Sequence, residues 1–213
     1  MTQTTQPTYP KGRTALLLLD PYNDFLSEGG KLWRRVATTT AAAGLHDRLK
    51  AVADAARAAG VPVFIVPHHR FAPGDLDGWS HPSPYLQASA RGLVFEKGGW
   101  GGEWHPDFVP QPGDIIVKEH WASSGFANTD LDYLLKQHNI THVILIGLVA
   151  NTCVEGTGRF ASELGYHVTL VTDATAAFTD EALHCAHAIN GPTYAHIIAS
   201  AEQLIPAIAA CGQ

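Results

Sequence analysis

The feature that most constrains the fold is an alternation between short apolar runs and longer segments with helical spacing. The runs are rich in branched aliphatic residues and are bounded by Gly, Pro or Asp. Four are strong, a fifth continues the pattern and a sixth is weaker: Thr14–Asp20, Val61–Pro67, Asp114–Lys118, Thr141–Gly147, His167–Asp173 and His196–Ser200. Continuous apolar runs of this kind are typical of strands buried on both faces of a parallel sheet.

Helical spacing fills most of the intervals between these runs. The predicted helices are Thr38–Ala59, Asn128–His138, Thr152–Leu164, Asp180–Asn190 and Ala201–Ala210. Strands that alternate with helices require right-handed crossovers. We therefore predict one doubly wound α/β domain over residues 1–213, a three-layer sandwich with a six-stranded parallel sheet and helices on both faces. In such a sheet, ligands bind beyond the carboxyl ends of the strands.

Two segments fall outside this alternation. Residues 1–12 are polar, and we expect a flexible N-terminal tail there. Residues 70–113 contain many Gly, Pro and Trp residues without a sustained period. Because aromatic residues are abundant in this interval and are rare in disordered linkers, we predict an ordered excursion over the active site.

Charge and composition narrow the class of partner. The 213-residue chain has a formal net charge of −6 and no basic run, which argues against nucleic-acid binding. The sequence shows neither a signal-peptide pattern nor an apolar stretch long enough to span a membrane, so a cytoplasmic protein that acts on a small molecule is predicted. Three cysteines without a CxxC pair suggest neither disulfides nor structural zinc.

Three chemically useful side chains stand at predicted strand ends. Cys153 lies where the fourth run turns into a helix, and a helix N-terminus lowers the pKa of a thiol. Asp20 and Lys118 each close a run. Taken alone, Cys153 could be a small buried hydrophobe, Asp20 a turn residue and Lys118 a solvated surface lysine. Taken together, the three residues predict a thiol, a carboxylate and an ammonium at one edge of the sheet, as covalent hydrolysis requires. Cys185 and Cys211 are expected to be inert.

Three sequence blocks carry a family resemblance: DPYNDF, VKEHWASSGFANTDLDYLL and GLVANTCVEGTGRFASELGYHVTLVTDATAAF. In this order and spacing, they resemble the isochorismatase-like cysteine hydrolases. The resemblance implies a Cys153–Asp20–Lys118 triad, a cis peptide bond at Leu148–Val149 and an oxyanion hole formed by the backbone N–H groups of Val149 and Cys153. It also implies a homodimer or homotetramer.

One departure from the family pattern concerns the second block. Many relatives have a Ser-x-Phe sequence that begins four residues after the lysine, whereas Ser124-Gly125-Phe126 begins six residues after Lys118. The lysine is nevertheless assigned to Lys118, since it closes a strand.

The histidines after the second strand bear on metal use. Metal-dependent nicotinamidases of the same superfamily carry an Asp-Trp-His-Pro run there, whereas this chain has VPHHRFAPG. His68 and His69 are adjacent, and neighbours on an extended segment point to opposite sides. We therefore expect neither a metal nor another cofactor, although ligation by His68 or His69 remains open.

The expected reaction is hydrolysis of a C–N bond in a small amide, ureido or N-carbamoyl compound, because a thiolate attacks a carbonyl carbon. Phe25 and Trp121 are predicted substrate neighbours. Three alternatives remain: vinyl-ether hydrolysis of the isochorismatase type, a non-catalytic binding protein on the same fold, and a redox-sensing thiol.

Overall fold

The sheet is the centre of the computed structural model, which describes residues 7–211. It has six strands, β1 to β6: Thr14–Leu19, Val63–Val66, Ile115–Ile116, His142–Leu148, His167–Ala176 and Ile197–Ala199. They lie in the order β3-β2-β1-β4-β5-β6, and every neighbouring pair is parallel. The predicted six-stranded α/β sheet is therefore confirmed.

The central strands are apolar throughout because both faces of the sheet are covered. The helices, α1 to α8, are Asn23–Leu26, Trp33–Ala43, Leu45–Ala58, Pro84–Arg91, Leu131–Gln137, Glu155–Glu163, Asp180–His184 and Ala201–Cys211. In β1, Leu16 and Leu18 pack into a core with helices α2, α3 and α8. Leu17 and Leu19 point to the other face and pack into a core with helices α5 and α6.

Two predicted helices differ in detail from the structure. The segment Thr38–Ala59 was predicted as one helix, but Gly44 has a left-handed φ of 58° and separates α2 from α3. Glycine adopts this conformation without the steric cost of a side chain. The predicted helix at Asp180–Asn190 is α-helical only as far as His184 and continues as a π-helical turn over Cys185–Asn190.

The excursion over residues 70–113 is folded. It contains α4 and two 3₁₀ turns, and it buries the rings of Phe71, Phe95 and Phe108. The buried carboxylate of Asp24 accepts a hydrogen bond of 2.7 Å from the backbone of Phe95 and another of 2.9 Å from that of Lys31. Asp24 therefore ties the excursion to the segment that follows β1.

Residues 7–12, which belong to the predicted N-terminal tail, lie against the sheet at Tyr9. Tyr9 is buried, and its hydroxyl lies 3.1 Å from Thr169 Oγ1 in β5. Burial of this large amphipathic ring fixes the segment against the sheet. Residues 1–6, the rest of the predicted tail, lie outside the described residues.

The carboxyl ends of β1 and β4 approach each other closely at Gly147. This residue has a φ of 117°, and a Cβ atom there would overlap the backbone of Leu19. Glycine is required because it combines this φ with close backbone packing.

In the described chain, no helix is both long and apolar enough to cross a lipid bilayer.

Candidate active site

The carboxyl edge of the sheet presents an acid directly after β1. The backbone N–H of Asp20 donates to Val66 O at 3.2 Å, and its φ is 54°, an uncommon value for a residue with a side chain. The side chain is fully buried. A strained backbone at a buried acid is typical of functional sites.

The candidate nucleophile lies in the connection between β4 and α6. The Leu148–Val149 peptide bond is cis, and one π-helical turn, Ala150–Val154, then carries Cys153 into the helix. Val149 O accepts hydrogen bonds from Thr152 N at 3.0 Å and Val154 N at 3.2 Å. The predicted location of Cys153, between strand and helix, is confirmed.

Three buried side chains meet at this edge: Asp20, His120 and Cys153. Their nearest functional atoms, an oxygen, a nitrogen and a sulfur, all lie within 4.8 Å of one another. His120 Nε2 is 3.1 Å from Asp20 Oδ1, and its Nδ1 is 2.8 Å from Ala122 O. Asp20 Oδ2 is buried and has no hydrogen-bond partner among the described residues.

The structure does not bring Lys118 to this cluster, which corrects the sequence-based assignment. Lys118 is exposed, whereas Val117 and His120 are buried. Its backbone N–H donates to Asp130 Oδ1 at 2.8 Å, and no contact of its ammonium with Asp20 or Cys153 occurs in the described chain. His120 is placed at the cluster by backbone pairing with the segment after β2, where His120 N donates to Pro67 O at 2.9 Å and His69 N donates to His120 O at 2.7 Å.

A sequence signal for His120 was present. Ser124 stands four residues after His120, which is the spacing that many relatives show between the lysine and Ser-x-Phe. The end of the apolar run indicates Lys118 instead. That criterion is weak here, because β3 contains only Ile115 and Ile116.

The electrostatics of Cys153 differ from the expectation of a lowered pKa. Burial raises the pKa of the Cys153 thiol well above its usual value, and the negative charge of Asp20 raises it further. Hydrogen bonds from Thr152 and from the backbone of Val149 oppose this rise without outweighing it. Cys153 therefore rests as a neutral thiol beside a carboxylate.

A cavity of about 310 Å³ opens above Cys153. Its lining is mostly apolar: Phe25, Leu32, Arg35, Tyr85, Ala88, Ser89, Val94, Val149, Thr152, Cys153 and Phe178. Phe25, a predicted substrate neighbour, and Val149, a predicted oxyanion donor, both lie in this lining. Trp121 is not among these residues. Its ring stacks on His69, with 3.6 Å between the ring centroids, and lies 4.9 Å from the ring of Trp79.

The adjacent histidines after β2 serve separate hydrogen-bond networks. His69 Nε2 lies 2.8 Å from Asp75 Oδ2, whereas His68 Nδ1 lies 3.0 Å from the carbonyl oxygen of His69. Burial lowers the pKa of His68 to about 4, with the charge of His120 as a further cause. Neutral His68 therefore donates through Nδ1 and accepts at Nε2 from the Tyr85 hydroxyl, 3.0 Å away. Neither Tyr85 nor His68 was predicted as a site residue.

A second cluster of metal-binding residue types lies at the surface and comprises His46, His105 and Asp107. His46 Nε2 is 2.7 Å from Asp107 Oδ2, and both side chains are well exposed. A second cavity, of about 300 Å³, borders His46 but not Cys153. This cluster contains no thiol, whereas the buried cluster contains Cys153.

Comparisons with known proteins agree with this fold. Residues 14–203 match the family described as Isochorismatase domain. The ureidoacrylate amidohydrolase RutB of Pantoea ananatis is 29% identical over 206 residues, which cover 92% of this chain and 82% of the relative.

Two solved structures extend the comparison. A cysteine hydrolase from Pseudomonas syringae pv. phaseolicola superposes with a TM-score of 0.81 at 24% identity, covering 99% of this chain and 100% of the other. N-carbamoylsarcosine amidase from Thermoplasma acidophilum gives a TM-score of 0.68 at 28% identity, covering 89% of this chain and 97% of the other.

Proposed function

This chain belongs to the isochorismatase family, and we propose that it hydrolyses a C–N bond of a small ureido, N-carbamoyl or amide compound through a thioester intermediate. The observation that carries the proposal is the buried Cys153 thiol, which lies beside Asp20 in the lining of a mostly apolar cavity. The similarity to a ureidoacrylate amidohydrolase and to an N-carbamoylsarcosine amidase supports this bond type.

The first half of the reaction transfers an acyl group to sulfur. Asp20 Oδ2 takes the thiol proton while Sγ of Cys153 attacks the substrate carbonyl carbon. Because the thiol is neutral at rest, proton transfer accompanies bond formation. The backbone N–H groups of Val149 and Cys153 stabilise the oxyanion. When the C–N bond breaks, Asp20 returns the proton to the departing nitrogen, which leaves as ammonia or an amine.

The second half restores the enzyme. Asp20 removes a proton from a water molecule, the resulting hydroxide attacks the thioester, and the C–S bond breaks. The sulfur leaves as a thiolate and recovers its proton from Asp20. The overall reaction consumes one water molecule and needs no oxidant or reductant.

The substrate end away from the reacting carbonyl is an anion in this proposal. Among residues 7–211, Arg35 is the single charged side chain in the cavity lining, and its guanidinium lies 3.9 Å from the centre of the Phe178 ring. A planar guanidinium is well suited to bind a carboxylate with two hydrogen bonds. Small N-carbamoyl or ureido acids, whose carboxylate would bind Arg35, are therefore the best candidates.

A screen for ammonia release tests this function. The compounds are ureido acids, N-carbamoyl amino acids and their uncharged amide analogues, and Cys153→Ala is the inactive control. Arg35→Met should raise KM for the acids by about 100-fold, because it removes a charged hydrogen-bonded pair with the substrate carboxylate. KM for the uncharged analogues should not change. Arg34→Met is the matched control, because Arg34 is exposed and does not line the cavity.

The same screen separates the alternatives. Turnover of isochorismate that survives Cys153→Ala would indicate proton-transfer hydrolysis of a vinyl ether, and binding without turnover would indicate a non-catalytic protein. Cytoplasmic location and assembly into a homodimer or homotetramer stay predictions from the sequence.

A further inference from the structure

The hydrogen bonds of His120, the histidine of the candidate site, bear on its protonation. His120 is fully buried, and both of its ring nitrogens lie near oxygen atoms. The partner of Nδ1 is the carbonyl of Ala122, at 2.8 Å. A carbonyl oxygen only accepts hydrogen bonds, so Nδ1 carries a proton.

The other ring nitrogen fixes the proton count of the pair. His120 Nε2 lies 3.1 Å from Asp20 Oδ1. A neutral imidazole has one N–H, which Nδ1 already uses, so a second proton must lie between Nε2 and Oδ1. Asp20 and His120 together therefore hold one proton more than a carboxylate and a neutral imidazole would. A buried carboxylate that faces an imidazolium has the charge partner that burial requires.

The surroundings leave this proton on the Asp20–His120 pair. His68, whose ring centroid is 5.0 Å from that of His120, has a pKa lowered to about 4 and uses both of its nitrogens elsewhere. Cys153 is a neutral thiol at rest. Glu119, the neighbouring acid, is paired with Arg70 at 2.6 Å. Tyr85 donates its hydroxyl proton to His68 rather than to Asp20.

Tyr22 completes this set of titratable neighbours. Its buried hydroxyl donates to the backbone oxygen of His68 at 2.9 Å. Burial, followed by the charge of Asp20, raises the pKa of Tyr22 well above its usual value, so Tyr22 stays neutral.

We propose that doubly protonated His120 serves as the cation of this site in place of a lysine. It acts as a positioning residue. The Nε2–H group holds Oδ1 of Asp20, which leaves Oδ2 free to take the thiol proton, and the imidazolium charge stabilises the thiolate that forms. The proposal rests on the proposed function, because it assigns His120 to the same thiol chemistry.

A histidine has a chemical consequence that a lysine lacks. The unperturbed pKa values are about 6.5 for histidine and about 10.4 for lysine, so an imidazolium is the easier of the two to deprotonate. Activity that depends on the charge of this cation should therefore decline at a lower pH with a histidine than with a lysine.

The variants His120→Lys and His120→Gln test this role. His120→Lys should retain activity and move the alkaline limb of kcat/KM upward by at least about one pH unit, since lysine is the more basic group. His120→Gln keeps an N–H donor for Asp20 but carries no charge, so kcat should fall about 100-fold with little change in KM, and the limb should disappear. Exposed His138 provides the control His138→Gln, whose profile should match the wild type. An unchanged profile in His120→Gln would overturn the proposal.

Two further measurements do not depend on turnover. The first is the pH dependence of iodoacetamide labelling of Cys153. In His120→Lys, the positive charge that stabilises the thiolate should persist to a higher pH, so this charge should favour labelling over a wider alkaline range. The second is the ¹⁵N NMR spectrum of histidine-labelled protein, in which both ring nitrogens of His120 should be protonated near neutral pH. An unprotonated Nε2 would overturn the proposal even if the variants failed to fold. Conversely, turnover that survives Cys153→Ala would refute the proposed function while leaving the protonation of His120 measurable.

Discussion

The described chain contains two clusters with related chemistry in different surroundings. The buried cluster is Asp20, His120 and Cys153, and the surface cluster is His46, His105 and Asp107. Each has a short histidine–carboxylate contact, of 3.1 Å in the buried cluster and 2.7 Å at the surface. The shorter contact is not the stronger constraint, because water screens the exposed pair and can replace either partner.

Burial changes what the same groups can do. In the buried cluster, each proton must lie on a group whose partners accept it, and the charge of Asp20 reaches Cys153 without screening by solvent. In the surface cluster, protons exchange with water. Five predictions test this contrast, in order from the largest expected effect to the smallest.

Replacement of Cys153 should have the largest effect. Cys153→Ala removes the nucleophile and should lower turnover by a factor on the order of 10⁴ or more. Cys153→Ser should be nearly as inactive, because an alcohol is harder to ionise than a thiol. Ammonia release and thermal unfolding are measured together, and His105→Ala in the surface cluster is the control. Retained turnover in a folded Cys153→Ala protein would refute the covalent mechanism.

Acid should destabilise the buried region through His68. This group has a pKa of about 4 in the folded protein, below the ordinary histidine value of 6.5, so the unfolded chain binds more protons between these values. The contribution of His68 to stability is complete above about pH 6.5, and about 3 kcal/mol of it is lost as the pH falls to about 4.

Urea unfolding between about pH 4 and about pH 7 measures this effect, because the range brackets both pKa values of His68. His68→Gln should reduce the dependence of the unfolding free energy on pH. His138→Gln, which removes an exposed histidine, should leave that dependence close to the wild type. Equal slopes for His68→Gln and the wild type would show that the pKa of His68 is not lowered in the folded protein.

The charge of Asp20 should control labelling of Cys153. Because burial and this carboxylate raise the pKa of the thiol, iodoacetamide should modify Cys153 slowly at neutral pH. Asp20→Asn should accelerate labelling at least tenfold, about one pKa unit, since it removes the negative charge that opposes the thiolate. Peptide mass spectrometry separates Cys153 from Cys185 and Cys211. Asp107→Asn is the surface control, and a slower rate in Asp20→Asn would contradict this electrostatic account.

The ion pair of the surface cluster should contribute little to stability. His46 and Asp107 have side chains that are 39% and 47% exposed, and exposed pairs contribute about 0 to 1 kcal/mol. Asp107→Asn should therefore change the unfolding free energy by less than about 1 kcal/mol, and less still in high salt. A larger loss would indicate that the surface cluster has a structural role comparable with the buried one.

Removal of metal should have no effect on turnover. His68 and His69 are committed to separate hydrogen bonds, and Asp20 and His120 share a proton where a metal would need free donor atoms. Dialysis against a strong chelator is the measurement, followed by addition of Zn²⁺, Mn²⁺ or Fe²⁺. If activity vanished on dialysis and returned with one of these metals, some of these donor atoms would have to bind a metal ion instead of making the hydrogen bonds described.

The central strands of the sheet were predicted more accurately from the sequence than the edge strand β3. The central strands could be located because β1 and β4 are buried on both faces, which leaves continuous apolar runs in the sequence. Asp20 could be placed because it directly follows such a run. The edge strand β3 has only two residues, so the sequence did not show which residue after it would face Asp20. The partner of Asp20 was therefore predicted to be Lys118, whereas the structure places His120 there.

The sequence by itself determined the parallel α/β sheet, the positions of Asp20 and Cys153 at strand ends, and the family blocks that contain them. These predictions rest on local patterns in the sequence, such as a continuous apolar run and the residue that directly follows it. Only the tertiary structure decided which cation meets Asp20, how the Cys153 thiol is ionised and which aromatic rings line the cavity. His120 and Asp20 are 100 residues apart in the chain. Their contact, and the burial that raises the pKa of Cys153, arise when distant segments pack together and exclude water.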